Sequence, residues 1–156
     1  GADKVLVNSH AINNPKLISE ISDAFGSQAV VVAVDFVKTH AGHRVAKQNA
    51  QIVTPLNPIE WCKEVQNLGA GELVLTSVDQ EGTRNGIEQS IIEEVSKVVE
   101  LPIIVQGGIG SLDDCAEVLK LSGVSGIAMG RMLQFSDANL IKIRRHVLQC
   151  GLQLRR

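Results

Sequence analysis

The chain has 156 residues, 44% of them hydrophobic, enough for one buried core and too few for two full domains, so residues 1–156 are read as a single domain. A formal charge of -2, with 15 basic residues scattered except in the tail around Arg144, Arg145, Arg155 and Arg156, disfavours a nucleic-acid surface; the longest apolar runs, such as AVVVAV at 29–34, fall far short of the roughly 20 residues that span a bilayer. No signal peptide opens the chain, and Cys62, Cys115 and Cys150 are far apart and without metal-ligand spacing, which reads as buried thiols of a reducing, cytoplasmic compartment.

In chain order, KVLVN (4–8) is the first strand-length apolar run, already under way where the sequence begins without methionine. Asn14-Pro15 resembles an N-cap followed by proline at the first helical position, and opens a helix at about 15–25. AVVVAVD (29–35) is the second strand. Residues 36–56 are too long for a common βα loop and suggest an excursion with a short hairpin, HRVAK and AQIVT forming its arms. Asn57-Pro58 repeats the capping arrangement before a helix at 58–68. Then come ELVLTSVD (72–79), a helix at 87–99, LPIIVQ (101–106), a helix at 112–121, SGIAMG (125–130) and a helix at 137–149. Ser111, Asp113 and Asp114 place a cap and two carboxylates on the first turn of the fourth of these helices, where its dipole favours them.

Near-continuous apolar strands are those of a parallel sheet covered on both faces. GADKVLVNS (1–9) and GAGELVLTS (69–77) match position for position in residue type, an internal echo of one βα unit. Five such units, with no shift in composition between them, admit a doubly wound open sheet or part of a (β/α)8 barrel. In either, ligands sit at the carboxyl ends of the strands.

Those ends carry Asn8 and Ser9, then Asp35, then Thr76, Ser77 and Asp79, then Gln106 with Gly107 and Gly108, then Gly130 with Arg131. Each can hydrogen-bond a polar ligand, and each can also merely cap a turn. The glycines of GGIG (107–110) let a backbone approach an anion, with the amides at the start of the next helix pointing toward it; a plain glycine turn is the alternative. The spacing lacks the G-x-G-x-x-G register of a dinucleotide site. Gly130-Arg131 on the next unit favours a phosphate, since two glycine turns and a cation would then face one anion. Asp35 ends a long apolar run, a position suited to proton transfer, with a cap or a Lys38 pair as the alternative. Glu81 and Thr83 belong to a polar loop, and His40 and His43 lack further metal ligands, so no metal and no cofactor is expected.

Taken together, GADKV..N, FGSQAVVVAVD, LGAGELVLTSVDQEGT and PIIVQGGIGS resemble the cyclase subunit of imidazole glycerol phosphate synthase, a (β/α)8 barrel of histidine biosynthesis. The resemblance implies a partial barrel of five βα units, the fourth to the eighth. It implies a lyase that takes ammonia from a glutaminase partner and converts a bis-phosphate ribulosyl formimino-aminoimidazole carboxamide ribonucleotide into imidazole glycerol phosphate and aminoimidazole carboxamide ribotide. Asp35 then matches the second catalytic aspartate, Asn8 and Ser9 part of one phosphate site, and Gly107, Gly108, Gly130 and Arg131 the other. Thr76, Ser77 and Asp79 match polar residues at the sixth strand's mouth. Lys4 and Glu72 match charged residues that gate ammonia where the glutaminase docks, with a structural ion pair as the competing explanation.

There are also departures from the family pattern. The first-strand aspartate and its units are missing, Glu81 stands where the family usually has Asp, Arg131 replaces a small hydroxyl residue, and Asn49-Ala50 stands in place of a glycine pair. Such drift also suits paralogues that pass ammonia to a nucleotide sugar. An incomplete barrel leaves two open edges, from which a homo-oligomer or a partner supplying the missing units is expected. The chain alone is expected to be inactive, and a non-catalytic phosphate-binding half-barrel is the second reading.

Overall fold

A computed structural model describes residues 1–154. Five strands run parallel and lie side by side in chain order: β1 (Val5–Val7), β2 (Val30–Thr39), β5 (Glu72–Ser77), β6 (Ile103–Gln106) and β7 (Val124–Ala128). The chain segment between β2 and β5 forms β3 (Gly42–Lys47) and β4 (Ile52–Val53), both antiparallel to their neighbours. One edge of β2 pairs with β5 from Val31 to Phe36. The other edge takes β1 at Val30–Val32 and then β3 at Asp35–Thr39, so the hairpin prolongs the sheet beyond the end of β1.

The helices are α1 (Ser9–Asn13), α2 (Lys16–Phe25), α3 (Pro58–Asn67), α4 (Gln89–Ser96), α5 (Leu112–Leu119), α6 (Arg131–Phe135) and α7 (Leu140–Gln149). The side-chain period of two sorts β2 between two clusters. Val30, Val32, Val34 and Phe36 join Leu73, Leu75, Ile103 and Val105 under the helical residues Ile18, Trp61, Val65, Ile92 and Val118. Val31, Ala33 and Val74 form a separate small cluster on the opposite face, to which no helix contributes. A flavodoxin-like sheet with helices on both faces is thereby ruled out. The ends of the array expose apolar side chains, Leu6 at 59% and Phe25 at 71% by β1, and Ile141 at 80% on α7.

Local signals account for most helix starts. The Asn57 carboxamide oxygen accepts from the Ile59 and Glu60 amides with Pro58 in the first turn, and Ser111 and Asp114 form a reciprocal capping box. Asn14-Pro15 behaves otherwise: Asn14 closes the unforeseen α1, donating its N–H to the His10 carbonyl, and α2 begins without a side-chain cap. Residues 36–56 are likewise more regular than expected. The hairpin arms form as read, but FVKT continues β2 and pairs with β3 instead of leaving the sheet.

Cys150 is exposed, contrary to the expectation of three buried thiols, because α7 turns it outward at its C-terminal end. Burial pushes the Cys62 thiol up to about 12, and burial with the nearby Asp114 carboxylate pushes Cys115 up to about 11. Both therefore stay protonated and shielded at pH 8. Titration of the native chain with a chromogenic disulfide reagent is expected to consume one thiol promptly, and the denatured chain three.

Candidate functional site

Two cavities lie at the carboxyl ends of the parallel strands. The first, about 380 Å³, is on the helix-free face, where Asn8, Asp35, Asn49, Thr76, Glu81 and Gln106 line it among apolar neighbours. Asn8 follows β1, Asp35 sits on β2 and Thr76 on β5, with Asp35 in register beside Thr76. The parallel sheet therefore lines up these ends without help from loops. The Asn8 side-chain amide donates to Asp35 Oδ2 at 2.9 Å. Its own Oδ1 is buried without a partner, an acceptor turned toward no protein donor. The cavity thus offers the free oxygen of the Asp35 carboxylate to a ligand bearing N–H or O–H groups.

The second cavity, about 340 Å³, is enclosed by the GGIG turn, the β7–α6 turn and the 79–88 loop, with Arg84, Gly107, Gly108, Gly130 and Arg131 in its wall. Glu81 and Gln106 line both cavities and meet in a 3.4 Å hydrogen bond, so one partition separates Asp35 from the arginines. Arg131 Nη1 donates to the Gly82 carbonyl at 3.1 Å and its guanidinium lies 5.5 Å from the Phe135 ring centre. Arg84 Nη2 donates to the Gly110 carbonyl at 3.3 Å.

The remaining residues singled out in the sequence lie elsewhere. Ser9 Oγ accepts the Gln48 amide at 2.8 Å, holding the hairpin turn. Ser77 is 3% exposed, its hydroxyl is buried without a partner, and it lines neither cavity. Asp79 lines a larger recess of about 880 Å³ beside the hairpin, where it accepts the Lys38 amide while Glu88 meets His43. That recess is shallow and its carboxylates are already bonded, so size does not make it the site. Lys4 and Glu72 form an ion pair at the opposite, amino-terminal ends of the strands, on either side of β2.

The amides of the GGIG turn also depart from expectation. Those of Gly110 and Ser111 donate to the Asp114 carboxylate at 2.8 and 2.9 Å, so the start of α5 is capped by its own chain. Among the described residues, no group of three or more His, Cys, Asp or Glu side chains could hold a metal ion, and no helix is long and apolar enough to cross a membrane. Gln106 was read as a strand-end group able to bond a ligand and Glu81 as a polar loop residue, whereas Arg84 was not foreseen. Each was visible as a polar residue of a strand end or loop, but which cavity it faces depends on how the 79–88 loop packs.

A family described as histidine biosynthesis protein matches residues 1–139. The imidazole glycerol phosphate synthase subunit HisF of Natranaerobius thermophilus is 38% identical over 155 residues, covering 99% of this chain and 62% of its own length. The subunit of the same name from Clostridium botulinum is 40% identical over 157 residues, with the same coverage, and that of Bacillus cereus 38% over 156. The chain therefore spans about 62% of the length of these curated relatives.

Proposed function

The chain belongs to the histidine biosynthesis protein family, and on that premise we propose that it is one domain comprising the fourth to eighth βα units of a (β/α)8 barrel cyclase of the imidazole glycerol phosphate synthase type. Supporting the partial barrel are the sequential parallel strand order, the helices on a single face and the apolar side chains left open at both ends. Five units account for 62% of a relative's length, which leaves room for three more of similar size. Those units would cover Leu6 and Phe25 at one end and Ile141 at the other, restoring roughly 1.5–3 kcal/mol for each large side chain fully buried.

The observation that carries the reading is Asp35, held by Asn8 at the mouth of the helix-free face beside a cavity that two arginines line. Asp35 is the acid/base. Asn8 fixes one carboxylate oxygen and leaves the other for the substrate. Glu81 supplies a second carboxylate on the same cavity, although the aspartate of the first strand lies in the absent units. Gly107, Gly108, Gly130 and Arg131 hold one phosphate of the bis-phosphate ribonucleotide. Asn8 and Ser9 are assigned to the other phosphate site, with Thr76, Ser77 and Asp79 as polar support at the sixth strand's mouth. Ammonia from a glutaminase subunit enters at the opposite face past Lys4 and Glu72.

Turnover with ammonium salts tests this directly. Activity is expected from the chain mixed with a fragment carrying the first three units, and none from the chain alone; a mixture that folds, associates and stays inactive sinks the reading. The second reading, a phosphate-binding half-barrel without catalysis, is favoured by one feature. The arginine-lined cavity is built wholly from this chain, whereas the Asp35 cavity is open where Leu6 is 59% exposed. The open ends also lead us to expect self-association. Light scattering at micromolar concentration should give a mass above 16.7 kDa, and a stable folded monomer would refute this.

A further inference from the structure

We propose that the second cavity is an anion site built from guanidinium groups rather than from a helix start, in which Arg131 exchanges its bond to the Gly82 carbonyl for the oxygens of a phosphate dianion and Arg84 supplies the second cation. The inference rests on the phosphate reading above and names the groups that carry it. Glycine turns before helices ordinarily hold phosphate through free backbone amides. Here two such amides at the start of α5, those of Gly110 and Ser111, are committed to Asp114. The following helix, α6, has only five residues, too few to build a strong dipole.

What the cavity does present is positive charge with weak partners. Arg131 and Arg84 each donate to a neutral carbonyl, at 3.1 and 3.3 Å, and among the described residues neither lies within 4.0 Å of a carboxylate oxygen. A phosphate oxygen is charged as the carbonyls are not, and a guanidinium can meet it through two parallel bonds where each carbonyl takes one, so an arriving dianion outcompetes both carbonyls. Arg131 is also pre-oriented, its guanidinium lying over the Phe135 ring in the same wall. Glu81 is the one carboxylate lining the cavity, and it lies on the partition with the Asp35 cavity, bonded to Gln106. The ligand class is therefore a phosphate or diphosphate group.

Calorimetry on the full chain at low salt tests the proposal, with inorganic phosphate and pyrophosphate as probes and circular dichroism to verify folding of every variant. The wild type is expected to bind at least one of them saturably. Arg131→Gln should weaken that binding by about tenfold or more, Arg131→Lys by less, and Arg84→Gln measurably, while Asp114→Asn stays within about twofold. Unchanged or tighter binding by Arg131→Gln would overturn the inference and leave the phosphate reading standing. A gain in Asp114→Asn with no loss in Arg131→Gln would assign the anion to the α5 amides instead. Failure of the wild type to bind either probe in the millimolar range would overturn the phosphate reading and this inference together.

Discussion

Asp35→Asn is expected to lower the ammonia-dependent turnover of the complemented barrel by about 10²–10⁴-fold, the range associated with loss of a general acid or base. The change is nearly isosteric, so it isolates chemistry from fold. Asp35 is the contribution of β2 to the helix-free face, flanked in register by Thr76 on one side and Ala46 on the other. Its carboxylate accepts from Asn8, and an asparagine can still present its carboxamide oxygen there. What it cannot do is take up and return a proton. The melting temperature should therefore stay within a few degrees while turnover collapses. Intact turnover in a folded Asp35→Asn complex would remove Asp35 from the mechanism and transfer suspicion to Glu81, the other carboxylate on that cavity.

Strands were legible because burial on both faces writes itself as unbroken apolar sequence, and VVVAV is buried from Val30 to Val34. Capping chemistry was legible where the side chain had no competing partner, as at Asn57 and Ser111. It misled at Asn14-Pro15, where α2 has no side-chain cap, and it was silent at α1, which Asn8 precedes with its side-chain amide given to Asp35. RMLQF, which forms α6, is equally without a cap and lasts little more than one turn.

The site divides along the same line. Residues on strands, such as Asp35 and Thr76, took positions set by pairing register, which alternation in sequence records. Ser77 and Thr76 are adjacent in sequence, yet that same alternation turns Ser77 away from the cavity Thr76 lines. Residues on the 79–88 loop depended on contacts remote in sequence, including Gly86 N–H to the Gly108 carbonyl and Arg131 to the Gly82 carbonyl. No local pattern encodes those.

The glycines of GGIG and the glycine before Arg131 looked like equal halves of one clamp, but their substitutions should diverge sharply. Gly108 has φ +91°, in the region L side chains avoid, and a methyl group there would collide with the Gly86 carbonyl oxygen. That oxygen cannot move aside freely, because the Gly86 amide is itself bonded to the Gly108 carbonyl at 2.9 Å. Gly107 is constrained in the same way by the Ser77 carbonyl, with φ +97°. Gly108→Ala is therefore expected to cost at least about 3 kcal/mol, combining backbone strain with a backbone collision, and to lower the melting temperature by roughly 6–12 °C. Gly130 has φ −115° and nothing within 4 Å of where a Cβ would stand. Gly130→Ala should leave stability unchanged or raise it by about 0.4–1 kcal/mol. The two thermal shifts separate the reasons for glycine, since at 107 it is demanded by the end of β5 and at 108 by the packing of the 79–88 loop, before any ligand arrives. Equal stability of the two variants would mean that the loop does not pack on the GGIG turn, and the cavity wall that both arginines depend on would be lost with it.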